Sequence, residues 1–194
     1  HELRTPLMIA SGYLHALKKG MLTGEQLNTS VETIMRNVDQ ITTLANDILF
    51  LQEMELLLPE FQAVNIVDVV NEVLKKYQSK AQVRHVTMKV KGNRAVSKVQ
   101  GDAQSLQRAV TALVDNAIKF SAPRGEVEIT FSEKGDYVLI AVEDHGIGID
   151  PVIRPRIFDR FFHLEKSGDE LYGGLGIGLS ITRQVIQQHK GALD

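Results

Sequence analysis

Residues 126–150, EVEITFSEKGDYVLIAVEDHGIGID, decide the fold of the larger part of this chain. Apolar and polar side chains alternate on both sides of residues 134–136, which predicts an antiparallel hairpin that turns at Lys-Gly-Asp. The second strand ends at Asp144, whose carboxylate could accept a hydrogen bond from an exocyclic amine such as that of adenine. Two glycines follow closely, and backbone without Cβ atoms can lie against a flat ligand, although such glycines can also simply make a turn.

The composition is that of an ordinary globular protein, with 194 residues, 43% hydrophobic and 24% charged, and a formal net charge of −2. No basic field favours nucleic acid, so no nucleic-acid partner is expected. Cysteine is absent, which excludes disulfides and thiolate metal sites. No apolar run approaches the roughly 20 residues that span a bilayer, and no signal peptide is recognisable. We therefore expect a soluble, cytoplasmic chain whose membrane anchor, if there is one, lies in segments outside it.

The first 58 residues are predicted to form a domain of two helices. Their apolar residues recur alternately every three and four positions, which is the heptad pattern of coiled-coil-like packing. Gly20 and Thr23-Gly24 interrupt the pattern, so the helices form a hairpin. Two amphipathic helices cover little of each other's apolar surface, and we predict a dimeric four-helix bundle; the alternative is a hairpin that lies on the second domain. The heptad residues are Leu3, Leu7, Ala10, Leu14, Leu17 and Met21, then Leu27, Val31, Ile34, Val38, Ile41, Ala45 and Ile48.

Pro59 marks a boundary, and residues 59–194 are predicted to form a second, α+β domain. Asp102 can cap a long helix, because its side chain accepts hydrogen bonds from the first free amides. Helices mixed with antiparallel strands favour a two-layer α/β sandwich. The predicted elements are helices at 66–81, 102–120, 155–162 and 176–189, strands at 86–92 and 95–99, and the hairpin at 126–144.

Two further stretches carry chemistry that suits a nucleotide. GGLGIGLSI, residues 173–181, places glycines at the start of an amphipathic helix, where exposed amides attract phosphate oxygens. It matches neither a Walker phosphate loop nor a dinucleotide-binding turn. Asn116 and Lys119 in ALVDNAIKF share one helix face. An amide oxygen beside an ammonium suits a magnesium-bound triphosphate, although either residue alone is more simply a surface residue.

Five stretches together resemble the H, N, first glycine, F and second glycine boxes of sensor histidine kinases, in the family's order and spacing. They are HELRTP (1–6), DNAIKF (115–120), DHGIGI (144–149), RIFDRFF (156–162) and GGLGIGLSI (173–181). The resemblance covers essentially the whole chain. It implies a homodimerising phosphotransfer domain and an ATP-binding domain of the kind found in gyrase. It also implies ATP and Mg²⁺ as cofactors, ADP as product, and a response regulator as partner.

Carried over residue by residue, the resemblance implies a phosphoacceptor, a nucleotide site and a lid. His1 would be the phosphoacceptor, Glu2 its acidic neighbour, and Thr5 would serve the reverse, phosphatase activity. Asn116 would be a magnesium ligand. The other implied positions are Lys119 and Phe120 near phosphate, Asp144 at the adenine amine, Gly146, Gly148 and Ile149 around the pocket, Arg160 and His163 in a lid that extends to Tyr172, and Gly174, Leu175, Gly176, Ile177, Gly178 and Leu179 beside the phosphates.

Three positions depart from the common pattern of the family. Ala112 stands where many members have a second asparagine, so one protein ligand to the metal would be replaced by water. His163 stands where an arginine often contacts phosphate. Leu175 replaces the usual small or hydroxyl residue between the glycines.

The heptad itself places His1 and Thr5 on the outer face of the first helix, one turn apart. An exposed imidazole is mostly neutral at pH 7 and has a nitrogen lone pair free to attack, while Glu2 can hold the proton of the other nitrogen. Thr5 excludes a zinc-binding His-Glu-x-x-His motif. Pro6 predicts a local kink. An outward docking surface for another protein is predicted at Met8, Ile9 and Gly12.

The sequence therefore predicts a dimeric histidine kinase core that depends on ATP and magnesium and also has phosphatase activity. One alternative is a non-catalytic dimer in which ATP binding only reshapes the bundle, a reading that Ala112 and His163 favour. Another is an ATPase related to gyrase or mismatch repair, but such enzymes do not need HELRTP on a heptad hairpin.

Overall fold

The computed structural model describes residues 2–56, 60–162 and 176–194. The chain divides into two compact units, one up to residue 57 and the other from residue 58 onward. Within the part of the chain that the structure describes, no helix is long and apolar enough to cross a membrane.

The first unit is a helical hairpin, as predicted. Helix α1 spans Arg4–Lys18 and helix α2 spans Glu25–Leu56. Between them Gly20 and Gly24 have φ angles of 66° and 58°, a conformation that glycine adopts without steric cost. These two residues are therefore the reason that the helical pattern breaks where the sequence indicated.

The buried residues of the hairpin are not all those of the predicted heptad. In α2, burial falls every seven residues at Ser30, Asn37, Leu44 and Leu51, and only Ala10 of the predicted α1 residues is fully buried. The predicted seam is largely open in the single chain. The exposed fractions are 42% for Leu3, 59% for Leu7, 54% for Leu14, 42% for Leu27, 43% for Val31 and 48% for Val38.

Two of the four buried residues that recur every seven positions in α2 are polar, and for this reason the apolar heptad pattern did not include them. The Ser30 hydroxyl donates to the Gln26 carbonyl at 2.6 Å, and the Asn37 amide donates to the Thr33 carbonyl at 2.7 Å. Because each side chain is satisfied within its own helix, it can be buried although its residue type is polar.

Pro6, where the sequence predicted a local kink, is accommodated within helix α1. Helix α1 begins at Arg4, so Pro6 lies in the first turn. Amides of the first turn have no partner within a helix, and the missing N–H of proline therefore disturbs no bond.

The second unit contains two small sheets. Strand β1 (Gln62–Val64) pairs with β3 (Val99–Gly101) in antiparallel register, and β2 (Thr87–Gly92), β4 (Glu126–Lys134) and β5 (Tyr137–Asp144) form a sheet in the order β2-β4-β5. The β4–β5 hairpin is confirmed. However, β2 runs parallel to β4, so the sheet is mixed rather than purely antiparallel as predicted.

Helices α3 (Ile66–Val83) and α4 (Ala103–Phe120) cover one face of this sheet. Helix α5 (Gly178–Gln188) packs against α4. The core joins α3 and α4 to the inward side chains of the sheet, and the two-layer α+β architecture is confirmed. Its fully buried members include Val70, Val114, Ile118, Val127 and Ile129. The predicted cap is also present, because the Asp102 carboxylate accepts from the Ser105 amide at 2.7 Å.

Three predicted elements differ in extent. Of the strand predicted at 95–99, only Val99 belongs to a strand, and the helix predicted at 155–162 is a three-residue 3-10 helix, Arg154–Arg156. Helix α5 begins at Gly178 rather than Gly176, because Gly176 has a φ angle of 64°, which a right-handed helix does not allow.

Candidate functional site

The last turn of α4 presents the predicted metal and phosphate residues together. Asn116, Lys119 and Phe120 are each half-buried there. The Lys119 ammonium lies 4.6 Å from the centroid of the Phe120 ring, and the Arg84 guanidinium donates to the Lys119 carbonyl at 2.7 Å. Burial lowers the pKa of Lys119, and the cations Lys80 and Arg84 lower it further, whereas Asp115 opposes them.

Asp115, beside Asn116, has a structural partner that the sequence did not reveal. Its carboxylate forms an ion pair with Lys80 of α3. It also accepts a hydrogen bond from Tyr77, and burial together with the Asp115 charge raises the pKa of Tyr77 to about 12. Asp115 thus joins α3 to α4, while the neighbouring Asn116 amide is the group that is suited to a ligand.

The end of β5 lies against the end of α4. The Gly146 amide donates to Asp144 Oδ1 at 2.9 Å, and Gly146 forms an antiparallel bridge with Ser121. A Cβ atom at Gly146 would overlap the Phe120 carbonyl and lie 2.7 Å from Asp144 Oδ1. Only glycine fits here, and the contact brings the Asp144 carboxylate beside the α4 turn that carries Asn116 and Lys119.

The segment after Gly146 offers open apolar surface. Gly148 has a φ angle of 69°, and a Cβ atom there would meet nothing within 4 Å. Ile147 and Ile149 on either side are 59% and 51% exposed. Open backbone between apolar side chains is a surface against which a flat ring can lie.

Helix α5 starts close to α4, one turn before Asn116. A Cβ atom at Gly178 would lie 3.2 Å from the Cβ of Ala112. Among the described residues, no side chain caps the first turn of α5. Its amides therefore keep their capacity to attract anions.

The F-box stretch is joined to the start of α5. The Phe161 amide donates to the Gly176 carbonyl at 3.0 Å. A Cβ atom at Gly176 would lie 2.5 Å from the Phe162 carbonyl oxygen. Arg160 is exposed and its guanidinium lies 3.4 Å from the Gln184 side-chain oxygen of α5, so it extends along the outside of that helix.

The structure therefore brings most of the predicted nucleotide residues into one region at the ends of α4, β5 and the start of α5. Ile177 is only 1% exposed and lies in the interior, while Leu179 is half-buried. Four predicted site residues lie outside the described part of the chain. They are His1, His163, Gly174 and Leu175.

The helical unit carries the other predicted residues. Thr5 is exposed and Glu2 is half-buried. Met8 and Ile9, on the same outer side as predicted, are 66% and 41% exposed, and a Cβ atom at Gly12 would meet nothing within 4 Å.

The residues fit a magnesium ion only together with a polyphosphate. Within the described ranges, no cluster of three His, Cys, Asp or Glu side chains could hold a metal ion. Asn116 supplies one amide oxygen, and Mg²⁺ commonly takes one or two protein oxygens with the rest from phosphate and water. The cation Lys119, the cradle at Gly146 and the uncapped start of α5 match the remaining parts of a magnesium nucleotide.

Comparison with known proteins agrees with this arrangement. Residues 1–56 match the family model of the His Kinase A (phospho-acceptor) domain. Residues 101–194 match the model of the histidine kinase-, DNA gyrase B-, and HSP90-like ATPase. The chain belongs to the sensor histidine kinases.

Individual relatives match all or part of the chain. Histidine protein kinase SaeS of Staphylococcus aureus is 29% identical over 100% of this chain and 56% of its own length. A chain of the mycobacterial sensor histidine kinase MprB is 31% identical, with a TM-score of 0.54, over 64% of this chain and 77% of that one. Full-length ShkA in complex with AMPPNP is 26% identical, with a TM-score of 0.69, over 97% of this chain and 39% of that one. The chain thus spans little more than half the length of the curated relatives that it matches.

Proposed function

We propose that this chain is the catalytic core of a histidine kinase, which phosphorylates His1 with ATP and passes the phosphoryl group to an aspartate of a response regulator. One observation carries the proposal. The end of α4, the Asp144–Gly146 strand end and the start of α5 meet in one chain with a phosphoacceptor helix. The family membership and the AMPPNP complex of ShkA support a nucleotide as the ligand.

Each part of the site has a role in this proposal. Asp144, oriented by the Gly146 amide, accepts a hydrogen bond from the adenine amine. Asn116 contributes an oxygen ligand to Mg²⁺, and Lys119 neutralises phosphate charge. The start of α5, with Gly176 and Gly178, presents backbone amides to phosphate oxygens. Arg160 belongs to the proposed lid, whose residues from 163 to 172 lie outside the described part of the chain.

The phosphoacceptor step needs a neutral imidazole. A nitrogen lone pair of His1 attacks the γ-phosphorus, the bond from that phosphorus to the bridging oxygen breaks, and ADP leaves. Glu2 accepts the proton on the other ring nitrogen and stabilises the positive charge that develops there. The phosphoryl group then passes to a carboxylate of the response regulator.

The outer face of α1 is the proposed docking surface for that regulator. Met8 and Ile9 are exposed apolar side chains beside the phosphoacceptor turn, and Gly12 leaves room for close approach. Thr5, on the same side and exposed, orients a water molecule that hydrolyses the aspartyl phosphate of the regulator. This would make the protein a phosphatase as well as a kinase.

The open seam of the hairpin supports a homodimer. Leu3, Leu7 and Leu14 are 42%, 59% and 54% exposed in the single chain, and a second hairpin would cover them.

The proposed location of the active unit is the cytoplasmic side of the cell, because the proposed reaction needs ATP and magnesium.

The deciding experiment is incubation of the full chain with γ-labelled ATP and Mg²⁺. We expect a label on the protein that is labile in acid and stable in alkali, which is typical of phosphohistidine. Nucleotide binding without any such label would instead favour the non-catalytic nucleotide-responsive dimer, for which Ala112 is the structural argument. Failure to bind nucleotide would contradict both.

A further inference from the structure

Helices α4 and α5 approach each other closely at Gly178 and Ala112. Ala109, Ala112 and Asn116 are spaced by three and four positions, so they share one face of α4. Gly178 and Thr182 are four apart and face them from α5. A Cβ atom at Gly178 would lie 3.2 Å from that of Ala112, so a larger side chain at this point would require the helices to shift.

Thr182 adds a directional bond to this contact. Its side chain is 0% exposed, and its hydroxyl lies 3.3 Å from the Ala109 carbonyl of α4 and 3.0 Å from the Gly178 carbonyl of its own helix. A buried hydroxyl costs free energy unless it is hydrogen-bonded, and the single hydrogen of the Thr182 hydroxyl lies within reach of both carbonyl oxygens, which share it. Through them Thr182 joins the first turn of α5 to α4.

Packing alone does not require this hydroxyl. Valine is β-branched like threonine and would occupy nearly the same space without burying a polar group. Valine would not fix the position of α5 along the axis of α4, because apolar contact is non-directional. The hydroxyl therefore has its effect on where α5 lies rather than on how much surface it buries.

We infer that Thr182 is a positioning residue of the nucleotide site: with the Gly178–Ala112 contact, its hydroxyl fixes the first turn of α5 relative to Asn116. The inference rests on the proposed function, in which the start of α5 holds phosphate and Asn116 holds the metal. Asn116 follows Ala112 by one turn, so a shift of α5 along α4 changes the spacing between those two groups directly. The adenine end at Asp144 belongs to β5 and does not depend on that spacing.

The test compares a polyphosphate ligand with adenosine, which lacks phosphate. We would measure displacement of a fluorescent ATP analogue from the full chain by AMPPNP with Mg²⁺ and, separately, by adenosine. Thr182→Val should weaken AMPPNP about three- to tenfold, the range that one hydrogen bond is worth, and leave adenosine unchanged. Thr182→Ser keeps the hydroxyl and should restore AMPPNP affinity to within about twofold of wild type.

A second pair of variants tests the close contact itself. Ala112→Leu should push α5 away and weaken AMPPNP more than Thr182→Val does. Ala103→Leu places the same side chain at the exposed start of α4 and serves as the matched control, with no expected effect. Thermal unfolding of each variant without nucleotide separates a shifted helix from a loosened domain.

The outcomes are distinguishable. Equal weakening of AMPPNP and adenosine in Thr182→Val would mean that the residue only stabilises the domain, and would overturn the inference. Unchanged AMPPNP affinity, or a Thr182→Ser variant as weak as Thr182→Val, would overturn it as well. A wild-type chain that binds adenosine but gains nothing from phosphate and Mg²⁺ would instead refute the proposed function.

Discussion

In the α/β unit Val114, Ile118 and Val127 are fully buried, whereas in the helical hairpin Leu7 and Leu14 are 59% and 54% exposed. Both sets are apolar, but only the hairpin residues were predicted from their periodicity. The difference is that the sheet and its helices close a core within one chain, while the hairpin has a stripe that one chain does not cover. In the proposed function, the nucleotide site therefore belongs to the unit that closes its own core, and the phosphoacceptor to the unit that a second copy would complete.

The largest expected effect falls on the hairpin alone. His1→Gln should abolish autophosphorylation, because a glutamine amide has no lone pair as nucleophilic as that of imidazole. Nucleotide affinity should not change, because the residues proposed to bind it lie in the other unit. The measurement is label incorporation from ATP beside calorimetry with AMPPNP and Mg²⁺. A variant that still becomes labelled would remove His1 as the phosphoacceptor.

Thr5→Ala should separate the two activities proposed for the same helix. Alanine is a good helix former, so α1 should persist and autophosphorylation should survive. Loss of label from a phosphorylated regulator should fall on the order of 10²–10³-fold, as when a group that orients the transition state is removed. The two rates are measured on one preparation of the variant. A decrease of both by the same factor would mean that Thr5 is structural.

Paired truncations sharpen the contrast between the two cores. Ile129→Ala should lower the free energy of unfolding of the α/β unit by about 2–5 kcal/mol at any protein concentration. Leu7→Ala should act instead on association, weakening the dimer by roughly tenfold for about 1.4 kcal/mol of lost contact. Met8→Ala, exposed on the outer side, is the control. The dissociation constant of the dimer is measured by sedimentation equilibrium. A Leu7→Ala variant that dimerises like wild type would contradict the open seam as the dimer interface.

Asp144→Asn tests the proposed adenine contact in the α/β unit. The amide can still accept the Gly146 bond, but an uncharged oxygen is a weaker acceptor for the adenine amine. Asp144 is exposed in the structure, and a hydrogen bond to a charged group is typically worth about 1.5–3 kcal/mol, so nucleotide affinity should fall by roughly ten- to a hundredfold. Competition with adenosine should show the same loss, in contrast to Thr182→Val. If calorimetry finds the affinity unchanged, Asp144 does not read the base.

Local features of the fold could be predicted from the sequence, and those that depend on distant partners could not. The Asp102 cap and the turn of the β4–β5 hairpin each involve residues within a few positions of one another, and both were predicted. Strands β1 and β3 have three residues each and pair across about forty positions, so neither has a pattern of its own. The parallel pairing of β2 with β4 likewise joins residues that are distant in the sequence, so no local pattern predicts it.

The same division holds for the site. The spacing of Asn116 and Lys119 placed them on one face of α4, and the motif order placed them with Asp144. That a Cβ at Gly146 would overlap Phe120, and that Gly178 meets Ala112, follows only from the packed fold. The electrostatic setting of Lys119 also comes from Lys80 and Arg84 of another helix.

The smallest expected effect concerns the contact between α3 and α4. It is a pH dependence of the free energy of unfolding of the α/β unit. The pKa of Tyr77 is raised to about 12 by burial and by Asp115, so the folded state favours the neutral phenol. The unfolded chain ionises near its ordinary value of about 10, and the contribution of Tyr77 to stability is therefore complete below pH 10 and lost as the pH rises from 10 to 12. Tyr77→Phe removes this titration, and urea unfolding should show a smaller loss of stability over that range than wild type. Tyr137→Phe, at an exposed tyrosine of β5, is the matched control and should follow wild type. If Tyr77→Phe loses as much stability as wild type between pH 10 and 12, the contact of Tyr77 with Asp115 does not hold α3 on α4 beside the nucleotide site.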